Sequence, residues 1–395
     1  MMLDFKESIA RQGTDAEKYE LRQKLFGTDD VLPMWVADQD LPTPSFILDV
    51  LKNRLEHPIL GYNVMPDSLY QSIVNWQAQY HYAVEPADIV FTHNVANGFF
   101  MAVSAFTTPG DAVLVQPPVY PPFLSAAAMA QRQCVEAPLI LKNHRYEIDF
   151  EAFEQAIIDH QVKLFLFCNP QNPSGRVWLK AELEKLAAIC LKHQVVVVSD
   201  EIHADMTYPG HQHIPMASLS EEVKHNTITL NSPGKTFNLG GLQIGYAIIA
   251  NPTLKAAYLK VCQTNAIHDL NVFGYLATQA AYSDKGRVYR DQLLQHFLEN
   301  IQRLKAFFNE CLPQVNVMMP EASYLVWLDF SALFESQAEL KTWLIQQAKL
   351  GLNDGESFGK AGKGFMRINL AVSEQTLTQA LDQLKQAILS TSFLK

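Results

Sequence analysis

The amino-acid sequence predicts an α/β protein: a large domain with a mainly parallel sheet between helices, joined to a smaller α+β domain. Three observations predict it. The chain has 395 residues, beyond the size at which one hydrophobic core usually stops growing. From about residue 88 to 250, short apolar runs alternate with helical stretches. After Pro313 the alternation gives way to a different pattern of strands and helices.

The elements follow in chain order. The first 45 residues are polar and then rich in turn residues (Leu41-Pro42-Thr43-Pro44), and they read as an arm crossing a surface. Residues 65–82 place Leu69, Ile73, Trp76 and Tyr80 on one helical face. The runs at 88–92, 112–116, 163–168, 195–199, 227–230 and 245–250 show little period-two alternation, which suits strands buried on both faces. Between two of them, 180–193 puts Leu183, Leu186, Ala187 and Cys190 on one helical stripe. Strand, helix and strand in succession imply right-handed crossovers and parallel pairing. A helical region spans roughly 252–312, with 285–310 as the bridge into the smaller domain. Strands are expected at 315–319, 324–330 and 365–371, and helices at about 336–350 and 373–391. The resulting division is an arm over 1–45 that joins the small domain, a large domain over 46–284 and a small domain over 285–395.

The formal net charge is −10. No Lys/Arg run offsets it, so nucleic acid is not an expected partner. The five cysteines are odd in number and widely spaced, without a C-x-x-C pair, so neither a disulfide framework nor a metal site is expected. Cys168 and Cys190 sit in apolar surroundings and read as core thiols. The N-terminus lacks the apolar stretch of a signal peptide, and no window approaches 18 unbroken apolar residues. A cytoplasmic protein without a membrane partner is the expectation.

Six segments carry candidate chemistry. In Asn231-Ser232-Pro233-Gly234-Lys235-Thr236-Phe237-Asn238 a lysine follows a strand among small residues. A partly desolvated amine there has a lowered pKa and becomes a usable nucleophile, although a surface lysine in a glycine-rich loop also fits. Cys168-Asn169-Pro170-Gln171-Asn172-Pro173 leaves a strand through two Asn-Pro turns, where open α/β sheets build ligand sites. Asn172 can offer an amide to a ring hydroxyl, and Asn-Pro can equally be only a turn. The third segment ends an apolar strand in Asp200-Glu201-Ile202-His203. One carboxylate could pair with a pyridinium nitrogen or cap a helix, and His203 alone fits a packed histidine. Thr92-His93-Asn94-Val95-Ala96 opens an apolar helix whose free N–H groups could bind phosphate. Gln116-Pro117-Pro118-Val119-Tyr120 can present Tyr120 as a flat platform or bury it. Arg367 interrupts an apolar strand and needs an anionic partner, either a substrate carboxylate or a structural acid.

In this order the segments resemble the fold-type I pyridoxal-5′-phosphate (PLP) enzymes of the class I/II aminotransferase family, and within it the MalY/PatB-type cystathionine β-lyases. Met34-Trp35-Val36-Ala37-Asp38, Ser-Asp-Glu-Ile-His-Ala-Asp at 199–205 and Lys-Thr-Phe-Asn at 235–238 are the most group-specific pieces. The resemblance implies a PLP-dependent transferase-like fold, PLP as cofactor and a small amino-acid substrate. It implies that Lys235 is the Schiff-base lysine, that Asp200 pairs with the pyridine nitrogen and that Asn172 bonds the ring hydroxyl. Tyr120 would stack on the ring, with His203 close to the cofactor. Val95, Ala96 and Ser232 would form the phosphate cup, Arg367 would hold the substrate carboxylate, and Trp35 and Ala37 would line the substrate site. Tyr62, in Gly61-Tyr62-Asn63, would reach the phosphate of a neighbouring subunit, so a two-fold homodimer is implied.

Three departures bear on the reaction. Eight residues after Lys235 stands Gln243, where many aminotransferases have arginine. Three after Asp200 stands His203, where many have tyrosine. The residue before Lys235 is Gly234, where MalY-like sequences often have serine. The first two point toward β-elimination of cystathionine or an S-substituted cysteine to a thiol, pyruvate and ammonia. An aminotransferase of a neutral or aromatic amino acid is the enzymatic alternative. A regulatory protein that binds a transcription activator is the non-enzymatic one.

Overall fold

The computed structural model describes residues 5–267 and 269–391. Its larger sheet has seven strands: β1 (Ile89–Thr92), β2 (Ala112–Val115), β3 (Gln133–Glu136), β4 (Leu164–Cys168), β5 (Val196–Asp200), β6 (Thr227–Asn231) and β7 (Gly245–Ile248). They lie in the order β1-β7-β6-β5-β4-β2-β3. Only β7 runs antiparallel to its neighbours. Side chains one residue apart point to opposite faces. Leu164 and Leu166 therefore join Val113, Val198 and Leu230 in one apolar layer, while Phe165 and Phe167 join Leu114, Val197 and Trp178 in the other. Helices cover both layers, as parallel strands require.

The edge strand β3 is not among the strands that the sequence pattern predicts. Its sequence Gln-Cys-Val-Glu is polar at both ends, and only Val135 is buried, so no apolar run marks it. The hairpin of Ile140–Lys142 and Arg145–Glu147 is also outside the predicted strands; its strands are three residues each, too short for a period to show.

The expected helical region resolves into Pro252–Thr264, Val272–Ala281 and Asp284–Cys311. Asn251, Asn271 and Ser283 begin them, each accepting backbone N–H bonds through its side chain. The last helix buries Tyr289, Leu293, Phe297, Ile301, Leu304 and Phe308 along one stripe. It packs against an antiparallel sheet of β8 (Asn316–Met318), β9 (Leu325–Asp329), β10 (Asn353–Asp354) and β11 (Phe365–Asn369), ordered β8-β9-β11-β10.

The N-terminal segment is more structured than an arm. It forms two short helices, Glu17–Glu20 and Arg22–Phe26, and a parallel strand pair of Leu32–Pro33 with Leu350–Gly351. Met34 O accepts the Asn369 N–H, and Asp40 N–H donates to Ala371 O. These bonds lay residues 32–40 along the end of β11, between the small sheet and the large one.

Candidate active site

The candidate residues converge where the parallel strands end. Asp200 closes β5 and lies opposite Cys168 of β4 and Leu230 of β6. Asn172 follows β4, Tyr120 follows β2, Lys235 follows β6, and Val95 begins the helix after β1. This carboxyl edge is where open α/β sheets place ligands.

Strand alternation separates the two adjacent acids. Glu201 turns into the core, where it accepts from the Ser199 hydroxyl and the Met216 N–H and lies 2.9 Å from His213 Nε2. Asp200 faces the cleft. It is buried, accepts the Ile202 N–H at 3.1 Å, and forms no ion pair among the described residues. Burial pushes its pKa up to about 7, against the Ile202 N–H and the charge of Lys235. A buried carboxylate without a cation is costly.

Lys235 Nζ donates to Ala37 O at 2.6 Å. Burial and the nearby Arg367 lower its pKa to about 8, while Asp38 and Asp200 oppose the shift. Gln39 Nε2 holds the loop by donating to Lys235 O and Thr236 O, at 2.7 and 3.1 Å. The Thr236 hydroxyl donates to Asp205, which also receives Trp76 Nε1–H and the Tyr80 hydroxyl.

Arg367 is buried in the middle of β11. It donates to Asn172 Oδ1 and Trp35 O, both at 3.0 Å, and sits 5.0 Å from the Phe358 ring centroid. Its Nε has no partner, and no carboxylate among the described residues pairs with it. The structural-acid alternative is therefore not realised. Burial lowers the guanidinium pKa to about 10.

His203 is buried with Nδ1 unpartnered. Burial, then the charges of Lys235 and Arg367, lower its pKa to about 3, so the ring is neutral. Tyr120 precedes the helix Pro121–Met129 and is half-buried, its hydroxyl pKa raised by burial and by Asp200. The helix Val95–Phe106 is capped by Asn94, whose side chain accepts from Asn97 N–H and donates to Gln243. The Ser232 hydroxyl donates to Ile244 O and accepts the Gly234 N–H.

Two predicted residues stand apart. The Trp35 indole donates to Lys18 O and meets Phe26 edge-on, and Trp35 lines a separate cavity of about 230 Å³ with Leu25, Leu344 and Leu352. It is the Trp35 carbonyl that touches Arg367. Tyr62 is fully exposed. Sequence reasoning assigned no role to Gln39 or Tyr324, and Asp38 entered only as the last residue of the Met34–Asp38 motif, because a single polar residue gives no sign of a partner about 200 residues away or more.

The cleft suits PLP on its own chemistry. It offers a buried acid lacking a cation, an amine of lowered pKa, a neutral ring nitrogen lacking a partner and a helix N-terminus.

The family model for aminotransferase class I and II matches residues 50–384. Cystathionine β-lyase PatB of Bacillus subtilis is 42% identical over 98% of this chain and 100% of its own. A PLP-bound protein of Clostridium difficile 630, provisionally assigned as an aminotransferase, superposes with a TM-score of 0.95 at 40% identity, covering 97% of this chain and 99% of that one. Cystalysin of Treponema denticola, which contains PLP, gives a TM-score of 0.95 at 32% identity, covering 98% and 99%. The chain belongs to the class I and II aminotransferase family.

Proposed function

We propose that this chain is a PLP-dependent carbon–sulfur β-lyase that converts cystathionine, or a related S-substituted cysteine, to a thiol, pyruvate and ammonia. The observation that carries the reading is the cluster of Asp200, Lys235 and Arg367: among the described residues, a buried acid without an ion pair, a readily deprotonated amine and a buried guanidinium without an acid. The PatB relative, similar over its whole length, is named a cystathionine β-lyase, which favours elimination over amino transfer.

When bound, PLP supplies an aldehyde for an amine and a protonated ring that accepts the electron pair left at Cα. Lys235 would carry the cofactor, Asp200 would keep the ring nitrogen protonated, and Asn172 and His203 would face the ring polar groups. Tyr120 would cover the ring, and Val95, Ala96 and Ser232 would hold the phosphate. Arg367 would grip the substrate α-carboxylate, aligning the Cα–H bond with Lys235, beside Ala37 and the backbone carbonyl of Trp35. The freed Lys235 amine would take the Cα proton. Loss of thiolate from Cβ and addition of water then account for every atom of the three products.

The same residues serve amino transfer until the leaving group decides, and the Clostridium difficile neighbour keeps that second reading in view. The division at 1–45, 46–284 and 285–395 would let the small domain close over the cleft. A two-fold homodimer, with Tyr62 completing the neighbouring phosphate site, accounts for that ring standing fully exposed beside Leu60 and Val64. Five free cysteines suit a cytoplasmic setting, and no helix among the described residues is long and apolar enough to cross a membrane.

Borohydride reduction of the purified protein tests the cofactor assignment. The expected result is a visible band that reduction abolishes and a pyridoxyl group on the peptide containing Lys235. A pyridoxyl group on another lysine, or protein that stays colourless with added PLP, contradicts it.

A further inference from the structure

A charge cluster in the N-terminal segment lies outside the proposed chemistry. Lys18 is completely buried and forms ion pairs with Asp38 at 2.8 Å and Asp40 at 3.1 Å. Arg11 pairs with the same two carboxylates, at 2.7 and 2.6 Å. Lys18 and Asp40 are buried while Arg11 and Asp38 are each about a quarter exposed, and burying charge carries a desolvation cost that pairing only partly offsets, so such a cluster is weak support for stability. Its effect on geometry is more specific.

The cluster adjoins the backbone of residues 35–39, which Lys18 and several residues of the site hold together. Asp38 O accepts from Lys18 Nζ at 3.3 Å and Asn369 Nδ2 at 2.6 Å. Ala37 O accepts from Lys235 Nζ at 2.6 Å and from the Tyr324 hydroxyl at 2.8 Å. Trp35 O accepts from Arg367, and the Gln39 side chain holds Lys235 O. One short stretch therefore touches the reactive amine, its loop and the guanidinium.

We propose that Asp38 is a positioning residue for Lys235: clamped by Lys18 and Arg11, it holds the Ala37 carbonyl where that oxygen receives the lysine amine, and it places a negative charge beside the amine when the amine carries a proton. The inference rests on the reading of Lys235 as the group that takes the substrate proton. Arg367 and Lys18 disfavour the charged amine, and Asp38 and Asp200 favour it. His203, packed nearby, is neutral. Once Asp200 serves the ring nitrogen, Asp38 is the carboxylate left to the lysine. Around Asp38 itself stand Lys18, Arg11 and Asp40, with Tyr19 and Tyr324 beyond them. Burial opposes its ionisation, but Lys18 and Arg11 outweigh burial and keep its pKa low.

Two full-length variants test this: Asp38→Asn, and Asp38→Asn with Lys18→Met, which leaves no unpaired charge in the cluster. With the cofactor stripped, the pH midpoint of Lys235 acetylation by acetic anhydride is read from its peptide by mass spectrometry. The midpoint is expected to fall by about one pH unit in the single variant and to stay below wild type in the double variant, because Asp38 acts on Lys235 more strongly than Lys18 does. In the holoenzyme, exchange of the L-alanine Cα proton in D2O, which needs no leaving group, is expected to slow about tenfold with KM unchanged. A midpoint equal to wild type in both variants overturns the inference. The labelling needs no cofactor, so it separates this failure from that of the lyase reading, which a wild-type holoenzyme unable to exchange alanine would overturn instead.

Discussion

Asp200 and His203 are three residues apart and titrate in opposite senses. The folded Asp200 keeps its proton up to about pH 7 against an ordinary value of 3.8. Its contribution to stability is full below its unfolded pKa and is lost as pH rises through about 7. The folded His203 stays neutral down to about pH 3 against an ordinary 6.5. Its contribution is full above 6.5 and is lost as pH falls toward 3. In cofactor-free protein the two largely cancel between pH 4 and 7. Thermal melts of Asp200→Asn should show stability rising with pH across this window relative to wild type, and His203→Gln should show it falling, each by on the order of 1–3 kcal/mol. Melts that keep the wild-type pH dependence would contradict the burial of these two groups. For Arg367→Lys the expected change is a KM higher by roughly 10–100-fold with a smaller change in kcat, from loss of a bidentate charged hydrogen bond, measured in steady-state assays. At this scale the sequence disclosed Lys235, Asp200 and Asn172 because each sits in a short motif at or just beyond a strand end, and Arg367 because a charge interrupts an apolar strand. Lys18 and Asp40 gave no such sign, and Asp38 showed only as the end of a motif, since charges about 20 residues apart look like ordinary solvated groups until the fold pairs them.

The elements were legible where their side chains are mostly apolar or β-branched. The strands β1, β2 and β4 to β7 each follow an apolar run, and the 180–193 stripe is buried as its spacing requires. Elements defined by pairing instead, such as β3 and the Leu32–Pro33 strand, have no period of their own. The turn between β1 and its helix shows how tightly the edge is built. A Cβ on Gly245 would lie 2.7 Å from the Asn94 carbonyl carbon and from Thr92 Oγ1. Gly245→Ala should therefore displace the helix N-terminus proposed to hold phosphate, weakening PLP binding at least tenfold in fluorescence titration, an effect of about 1.4 kcal/mol. Asn94→Ala removes the cap and should cost about 1 kcal/mol, read from denaturant midpoints. Wild-type PLP affinity in Gly245→Ala would remove the phosphate role from this turn.

The whole molecule places Lys235 on a loop leaving the large sheet, Arg367 on the small sheet and the 32–40 segment between them, so motion of one sheet against the other would change the distance between amine and guanidinium. If Tyr62 serves a second protomer, mixing the inactive Lys235→Ala and Tyr62→Phe proteins should restore up to one intact site per mixed dimer, so activity should rise above the sum of the two parents. Purely additive activity would contradict a shared site. The reaction itself is tested most directly by giving the purified enzyme L-cystathionine without any keto acid and measuring pyruvate, ammonia and homocysteine together. The account predicts the three in equal amounts and none from Lys235→Ala; pyruvate that never forms, or turnover that begins only when a keto-acid acceptor is added, would contradict it.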